Sequence, residues 1–98
     1  MYNIYVTFKC LPGKREEFVK RVRDEGILDT IRAEDGFGRY DYYFSEADEN
    51  ELLLIEAWAS YEHQQAHIAT AHMDKLRSFK SEYIKTTTIG QFDLIKTV

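Results

Sequence analysis

Ninety-eight residues with 44% apolar, 31% charged and 14% aromatic side chains can build one modest core and lack the composition of a disordered segment. The single cysteine, Cys10, excludes an intrachain disulfide or a multi-cysteine zinc site, and a lone thiol suits a reducing compartment. A net charge of −4 argues against a grip on nucleic acid or on an anionic membrane.

No apolar run approaches the ~18 residues of a membrane span, and Met1-Tyr2-Asn3-Ile4 has no signal-peptide pattern. The expectation is a soluble cytoplasmic chain whose residues 1–98 form a single domain. From Tyr2 to Cys10, Ile4, Val6, Phe8 and Cys10 alternate with Asn3, Tyr5, Thr7 and Lys9, which predicts a strand. Cys10 is expected in the core, where free cysteines usually sit. Leu11-Pro12-Gly13 punctuates the chain, and Phe18, Val19, Val22, Ile27, Leu28 and Ile31 predict a helix from Lys14 to about Ala33, bent or broken at Gly26.

Asp35-Gly36-Phe37-Gly38 reads as a turn into a second strand, Arg39 to Ser45, with Tyr40, Tyr42 and Phe44 on one face. The polar segment Glu46–Asn50 joins it to a third strand, Glu51 to Ala59, as a hairpin. That third strand is apolar on both faces: Leu52, Leu54 and Trp58 share one with Glu56, while Leu53, Ile55, Ala57 and Ala59 share the other. Ser60 is a helix N-cap, and helix runs on to about Ile84 with a break near Thr70-Ala71-His72. A last strand follows from Thr86 through Phe92 and Leu94, with a bulge or bend at Gly90.

The order β-α-β-β-α-β is that of ferredoxin-like α+β domains, a four-stranded antiparallel sheet with helices on one face. Its other face is left bare, and a third strand apolar on both sides tolerates water poorly there. A homodimer with sheet packed on sheet is therefore expected.

Chemistry concentrates in two places. His63, His67 and His72 lie within ten residues. His63 and His67 share a helix face at a spacing that can bind zinc, but Gln64-Gln65-Ala66 between them supplies no general-base Glu. His72 would lie about 140° round an unbroken helix from His67, so no metal is expected. Glu56, mid-strand in apolar surroundings, needs a partner or a polar cavity. It suits a general base or substrate-orienting group, and equally a structural ion pair with Arg or Lys. Tyr40, Tyr42 and Trp58 with these groups form a mixed surface suited to a flat aromatic or enol-like molecule.

Leu54-Ile55-Glu56-Ala57-Trp58-Ala59-Ser60-Tyr61-Glu62, followed by His67 and Ala71-His72-Met73, resembles the antibiotic biosynthesis monooxygenase family. The first strand, the Pro12-Gly13-Lys14 turn, Glu34-Asp35-Gly36 and Tyr40-Asp41-Tyr42 extend the resemblance over nearly the whole chain. Ala71 stands where many relatives have Pro. The resemblance implies a dimeric α+β barrel and oxidation of quinols or anthrone-like polyphenols by molecular oxygen, with no metal, flavin or other cofactor. It implies His67 or His72 as base, Glu56 as an orienting group, and Trp58, Tyr40 and Tyr42, with His63, around the substrate.

Two branches of the superfamily, and a reading without catalysis, are alternatives. A heme-degrading branch uses Asn, Trp and an axial His; Asn3 is present, but His67 stands where that branch's Trp is expected. An isomerase branch acting on a phosphorylated quorum-signal ketone could use the same His67, His72 and Glu56, with Lys14, Arg15 or Arg39 meeting the phosphate. The third alternative is a non-enzymatic, dimeric small-ligand-binding or stress-response domain.

Overall fold

The computed structural model describes residues 1–95. Its elements are β1 (Tyr2–Cys10), α1 (Arg15–Asp24), α2 (Ile27–Arg32), β2 (Phe37–Phe44), β3 (Glu51–Trp58), α3 (Tyr61–Ile68), α4 (Ala71–Lys80) and β4 (Ile84–Phe92). Each expected helix is divided in two. Gly26 takes φ of 77° between α1 and α2, a conformation that residues with a Cβ rarely adopt. Thr70 is extended between α3 and α4, and its hydroxyl donates to the carbonyl of His67 at 2.8 Å, capturing one of the orphan acceptors at the end of α3. The second helix ends at Lys80 rather than near Ile84, because Ile84 is needed in the core and opens the β-branched run of β4.

The strands lie in the order β2-β3-β1-β4, every neighbouring pair antiparallel, which is the ferredoxin-like α+β fold. Register fixes what the helices see. Ile4, Val6 and Phe8 of β1 oppose Glu56, Leu54 and Leu52 of β3. Tyr40 and Tyr42 of β2 oppose Glu56 and Leu54, and Ile89 and Thr87 of β4 oppose Val6 and Phe8. Opposed residues point to the same side of a sheet, so all of these face the helices. There Phe18, Val22, Ile27, Ile31, Leu76 and Phe79 close the core, with Cys10 buried at its edge as expected.

The bulge lies between Lys9 and Cys10 on the pairing with β4, not at Gly90 as the sequence suggests. Gly90 has another purpose. It sits opposite Tyr5, whose ring lies across it in the space a Cβ would occupy. Arg15 is buried because its guanidinium binds the loop of the β2–β3 hairpin, Nη1 donating to the carbonyls of Ser45, Asp48 and Glu51 at 3.1, 3.0 and 3.3 Å.

The opposite face of the sheet carries no helix. Leu53 and Ile55 are half-buried there, and Tyr5 and Tyr43 are exposed. A groove of about 560 Å³ bordered by Asn3, Ile55, Ala57 and Phe92 runs across its end. Among the described residues no helix is long and apolar enough to cross a membrane.

Candidate active site

β3 ends in Glu56-Ala57-Trp58, which places Glu56 and Trp58 two residues apart on the helix-facing side. Trp58 is fully buried, and its Nε1–H donates to Glu56 Oε1 at 3.0 Å. α3 starts at the Ser60 cap, whose hydroxyl oxygen accepts from the His63 backbone N–H at 3.2 Å. One turn further on, the His67 ring lies flat on the Trp58 indole, centroids 4.5 Å apart and planes inclined by 29°. Tyr40 meets the His67 ring on edge at 5.8 Å.

Glu34, in the turn between α2 and β2, completes the group. A single carboxylate oxygen, Oε2, lies 2.7 Å from His67 Nδ1 and 2.8 Å from His72 Nε2. The break between α3 and α4 makes this possible by turning His72 back towards His67, which an unbroken helix could not do. An ionised carboxylate only accepts, so each imidazole presents an N–H to it, and the tautomer of His67 follows. Nδ1 carries the hydrogen, and Nε2 is left with its lone pair 3.8 Å from Glu56 Oε1.

Burial holds His67 below the ordinary imidazole value, against the opposing pull of Glu34, so its neutral, basic form predominates at neutral pH. Burial also raises the carboxyl of Glu56 to about 7; the Trp58 N–H works against that rise, and the charge of Glu34 adds to it. No Arg or Lys among the described residues is salt-bridged to Glu56, so the ion-pair alternative raised by the sequence finds no support among them. Burial pushes the phenol of Tyr40 well above its usual range and that of Tyr42 likewise upward. Tyr42 Oη is buried with no hydrogen-bond partner among the described residues.

Beside this group, between the sheet and α3–α4, lies a cavity of about 190 Å³. Glu56, His67 and Gln64 border it together with Tyr40 and Tyr42; apolar side chains such as Val6, Leu54 and Met73 supply much of the remaining wall. Glu56 and His67 therefore meet at one cavity, as do Tyr40 and Tyr42. Trp58 stands behind His67 rather than on the wall, and His72 reaches the site only through Glu34. His63 does not join them. Its Nδ1 is 2.7 Å from Ser60 Oγ, its Nε2 faces Asp35 at 3.4 Å, and its ring covers Gly36 where a Cβ would stand. It ties α3 to the turn before β2.

Sequence reasoning missed two residues. Glu34 stands in the quoted Glu34-Asp35-Gly36 segment, but without a role. Gln64 is in sequence only a spacer between histidines, yet it is buried on the cavity wall. The cations expected to meet a phosphate are elsewhere. Arg15 is committed to loop carbonyls and Glu16, Lys14 pairs with Glu17, and Arg39 binds Asp41 and Tyr43 on the uncovered face. Asn3 also lies on that face, opposite Ala57 and away from His67.

Donor atoms of Glu34, His67 and His72 lie within 4.8 Å of one another, the one such group of potential metal ligands among the described residues. Yet the two nitrogens sit 2.7 and 2.8 Å from the oxygen. Ligands about 2.0–2.1 Å from a tetrahedral zinc would stand roughly 3.3 Å apart. The spacing is that of hydrogen bonds, in which the carboxylate orients a base.

Comparisons with known proteins agree with this architecture. The chain is 33% identical over 72 residues, 74% of each protein, to a Bacillus subtilis protein named "Putative monooxygenase YcnE". Its fold matches that of PA3566 from Pseudomonas aeruginosa, with a TM-score of 0.83 at 21% identity over 97% of this chain and 94% of the other. It likewise matches a structure described as "Putative antibiotic biosynthesis monooxygenase from Nitrosomonas europaea", with a TM-score of 0.84 at 23% identity over 98% and 100% of the two chains. The profile of the family described as "Antibiotic biosynthesis monooxygenase" matches residues 1–78, and the chain belongs to that family.

Proposed function

We propose that the protein is a cofactor-independent monooxygenase, oxidising a small quinol- or polyphenol-type aromatic with molecular oxygen at the Glu56–His67 cavity. The supporting observation is the Glu34–His67 pair, a neutral imidazole whose Nδ1–H is held by a carboxylate and whose Nε2 lone pair is directed to a cavity walled by aromatic rings. A phenol or enol bound there gives its proton to Nε2, and Glu34 stabilises the imidazolium that forms. The resulting electron-rich anion transfers one electron to oxygen, and the substrate radical and superoxide combine into a carbon-bound peroxide. At an activated CH₂ group, taking up a proton and losing water turns this into a carbonyl: CH₂ + O₂ gives C=O + H₂O. The substrate supplies all the electrons, so the reaction requires no external reductant. Tyr40, raised far above its usual range, remains a phenol and with Tyr42 can donate to developing negative charge. No step is assigned to a metal.

The test is oxygen uptake by the purified protein with menadiol or an anthrone, above the rate of autoxidation, with the oxygenated product identified by mass spectrometry. Turnover of an enolisable substrate that is unchanged under strict anaerobiosis would sink the oxygenase reading in favour of isomerisation.

The same proposal includes a homodimer through the uncovered face, carried by Leu53, Ile55, Tyr5 and Tyr43 standing together without a helix over them. Analytical ultracentrifugation at micromolar concentration is expected to give twice the chain mass, and Ile55→Lys to shift it to one. A wild-type monomer would remove the dimer.

A further inference from the structure

The cavity has two chemically different ends. Glu56 and His67 lie at the Ile4 row of the sheet. At the other end Lys80, from the last turn of α4, places Nζ 5.4 Å from the centroid of the Phe8 ring. Phe8 is four residues along β1 from Ile4, which separates the two rows by roughly 13 Å at a rise of about 3.3 Å per residue.

Lys80 is unusual among the basic residues. Lys9, Lys14, Lys20, Lys75 and the arginines Arg15, Arg21, Arg32, Arg39 and Arg77 each have a carboxylate within salt-bridge distance. Arg23 and Lys85 have none among the described residues, and both are exposed to water. Lys80 also has none among those residues, but it is half-buried. Partial burial against apolar side chains lowers its pKa, as does Arg77 nearby. A cation taken partly out of water and given only a ring face for company is a position that an anion would stabilise.

The approach to that end has the same sign. A second hollow, of about 280 Å³, adjoins the cavity and shares Arg77, Lys80 and Thr87 with it; Lys85 also lines it. In a chain of net charge −4, Lys80 and Lys85, with no carboxylate partner among the described residues, and Arg77, paired with Asp74, give this opening a local positive field that attracts anions.

We propose that the ligand of this cavity is an aromatic acid: a phenol or enol whose hydroxyl meets Glu56 and His67 and whose carboxylate, on the opposite end of the ring system, pairs with Lys80 Nζ. This rests on reading the cavity as the substrate site and adds the substrate class. Neutral quinols would then be incomplete ligands, filling the basic end and leaving Lys80 unpaired.

Isothermal titration calorimetry on the whole chain at low ionic strength tests it with two matched pairs of stable phenols. These are 4-hydroxyphenylacetate against 4-ethylphenol, and 6-hydroxy-2-naphthoate against 2-naphthol. In at least one pair the acid is expected to bind more than about tenfold tighter than its neutral partner, the size of a charge-assisted hydrogen bond. That ratio should fall to near one in Lys80→Met and recover in Lys80→Arg. Equal affinities in both pairs, a preference that survives in Lys80→Met, or no binding of any of the four would overturn the proposal. Because none of these phenols has to be turned over, a Lys80-dependent ratio stands even if oxygen uptake with quinols is absent. Conversely, oxygen uptake with no such ratio removes the aromatic acid and leaves the oxygenase.

Discussion

Replacing His67 by alanine is expected to lower oxygen uptake with a quinol or anthrone by ~10²–10⁴-fold, the range that a positioned acid–base group contributes. The expectation follows from the polarity of the Glu34–His67–Glu56 line. Glu34 holds the hydrogen of Nδ1, so Nε2 is the only lone pair the ring can offer the cavity. Glu34→Gln should cost less, because an amide still reaches Nδ1 but carries no charge to stabilise the imidazolium. It should also move the pH dependence, because the imidazole would lose the carboxylate that favours its protonated form. Alanine at 67 takes away the ring stacked on Trp58 as well, so His67→Gln, closer in volume, separates lost chemistry from lost packing. Rates in both His67 variants within threefold of the parent would transfer the base to Glu56.

The second expectation concerns stability. Glu56→Gln should make the protein more resistant to denaturant at pH 8 while leaving it nearly unchanged at pH 4. The folded chain raises the Glu56 carboxyl from 4.5 to about 7. Below the lower value the group is protonated whether the chain is folded or not. Between the two values the folded chain retains a proton that the unfolded chain releases, so stability falls as pH rises through this window. At 1.36 kcal/mol per unit, the loss by pH 8 is up to roughly 3 kcal/mol. Glutamine does not ionise and keeps an oxygen for the Trp58 N–H, so it avoids this loss. His67 acts in the opposite sense: its lowered value removes stability as pH falls below about 6.5. The comparison of parent and variant at each pH therefore isolates Glu56. An equal difference at pH 4 and pH 8, measured from urea melts, would show that the carboxyl is not perturbed. The same variant should turn over more slowly, since a site that holds a carboxylate in apolar surroundings gives up stability for reactivity.

The strands and the position of Glu56 were legible in sequence because alternation with period two carries both pairing and face. Ile4, Val6 and Phe8 against Leu52, Leu54 and Glu56 needed no more than a count. Helix ends were less so. Nothing in the periodicity distinguishes a helix that reaches Ile84 from one that stops at Lys80, because Phe79, Tyr83 and Ile84 are all apolar and the choice is made by the sheet that Ile84 joins. Glu34 was the largest omission. It lies 33 residues from His67, in a turn where an acidic residue is unremarkable. Its role arises only after Thr70 breaks the helix and brings His72 back. His63 shows what spacing alone leaves open. Four residues from His67 on the same helix, it shares that residue's face, but its ring is taken up by Ser60, Asp35 and the bare backbone of Gly36, in line with a histidine held by local hydrogen bonds. Lys80 could not be singled out at all, since a cation that is both half-buried and without a carboxylate is recognised only from the folded surroundings of the others.

Trp58 is the only tryptophan of the chain, and it is wedged against the ring of His67 with its N–H on Glu56. The tryptophan fluorescence of the protein, excited beyond the absorption of its seven tyrosines, thus arises from one indole in contact with both proposed acid–base groups. Protonating the imidazole would place a cation on the face of the excited ring, and ionising the carboxyl would alter the charge at its N–H. Emission from the unlabelled protein consequently follows the charge state of the site through a pH titration, and unfolding exposes the same chromophore to water. One wavelength reads both the chemistry and the fold.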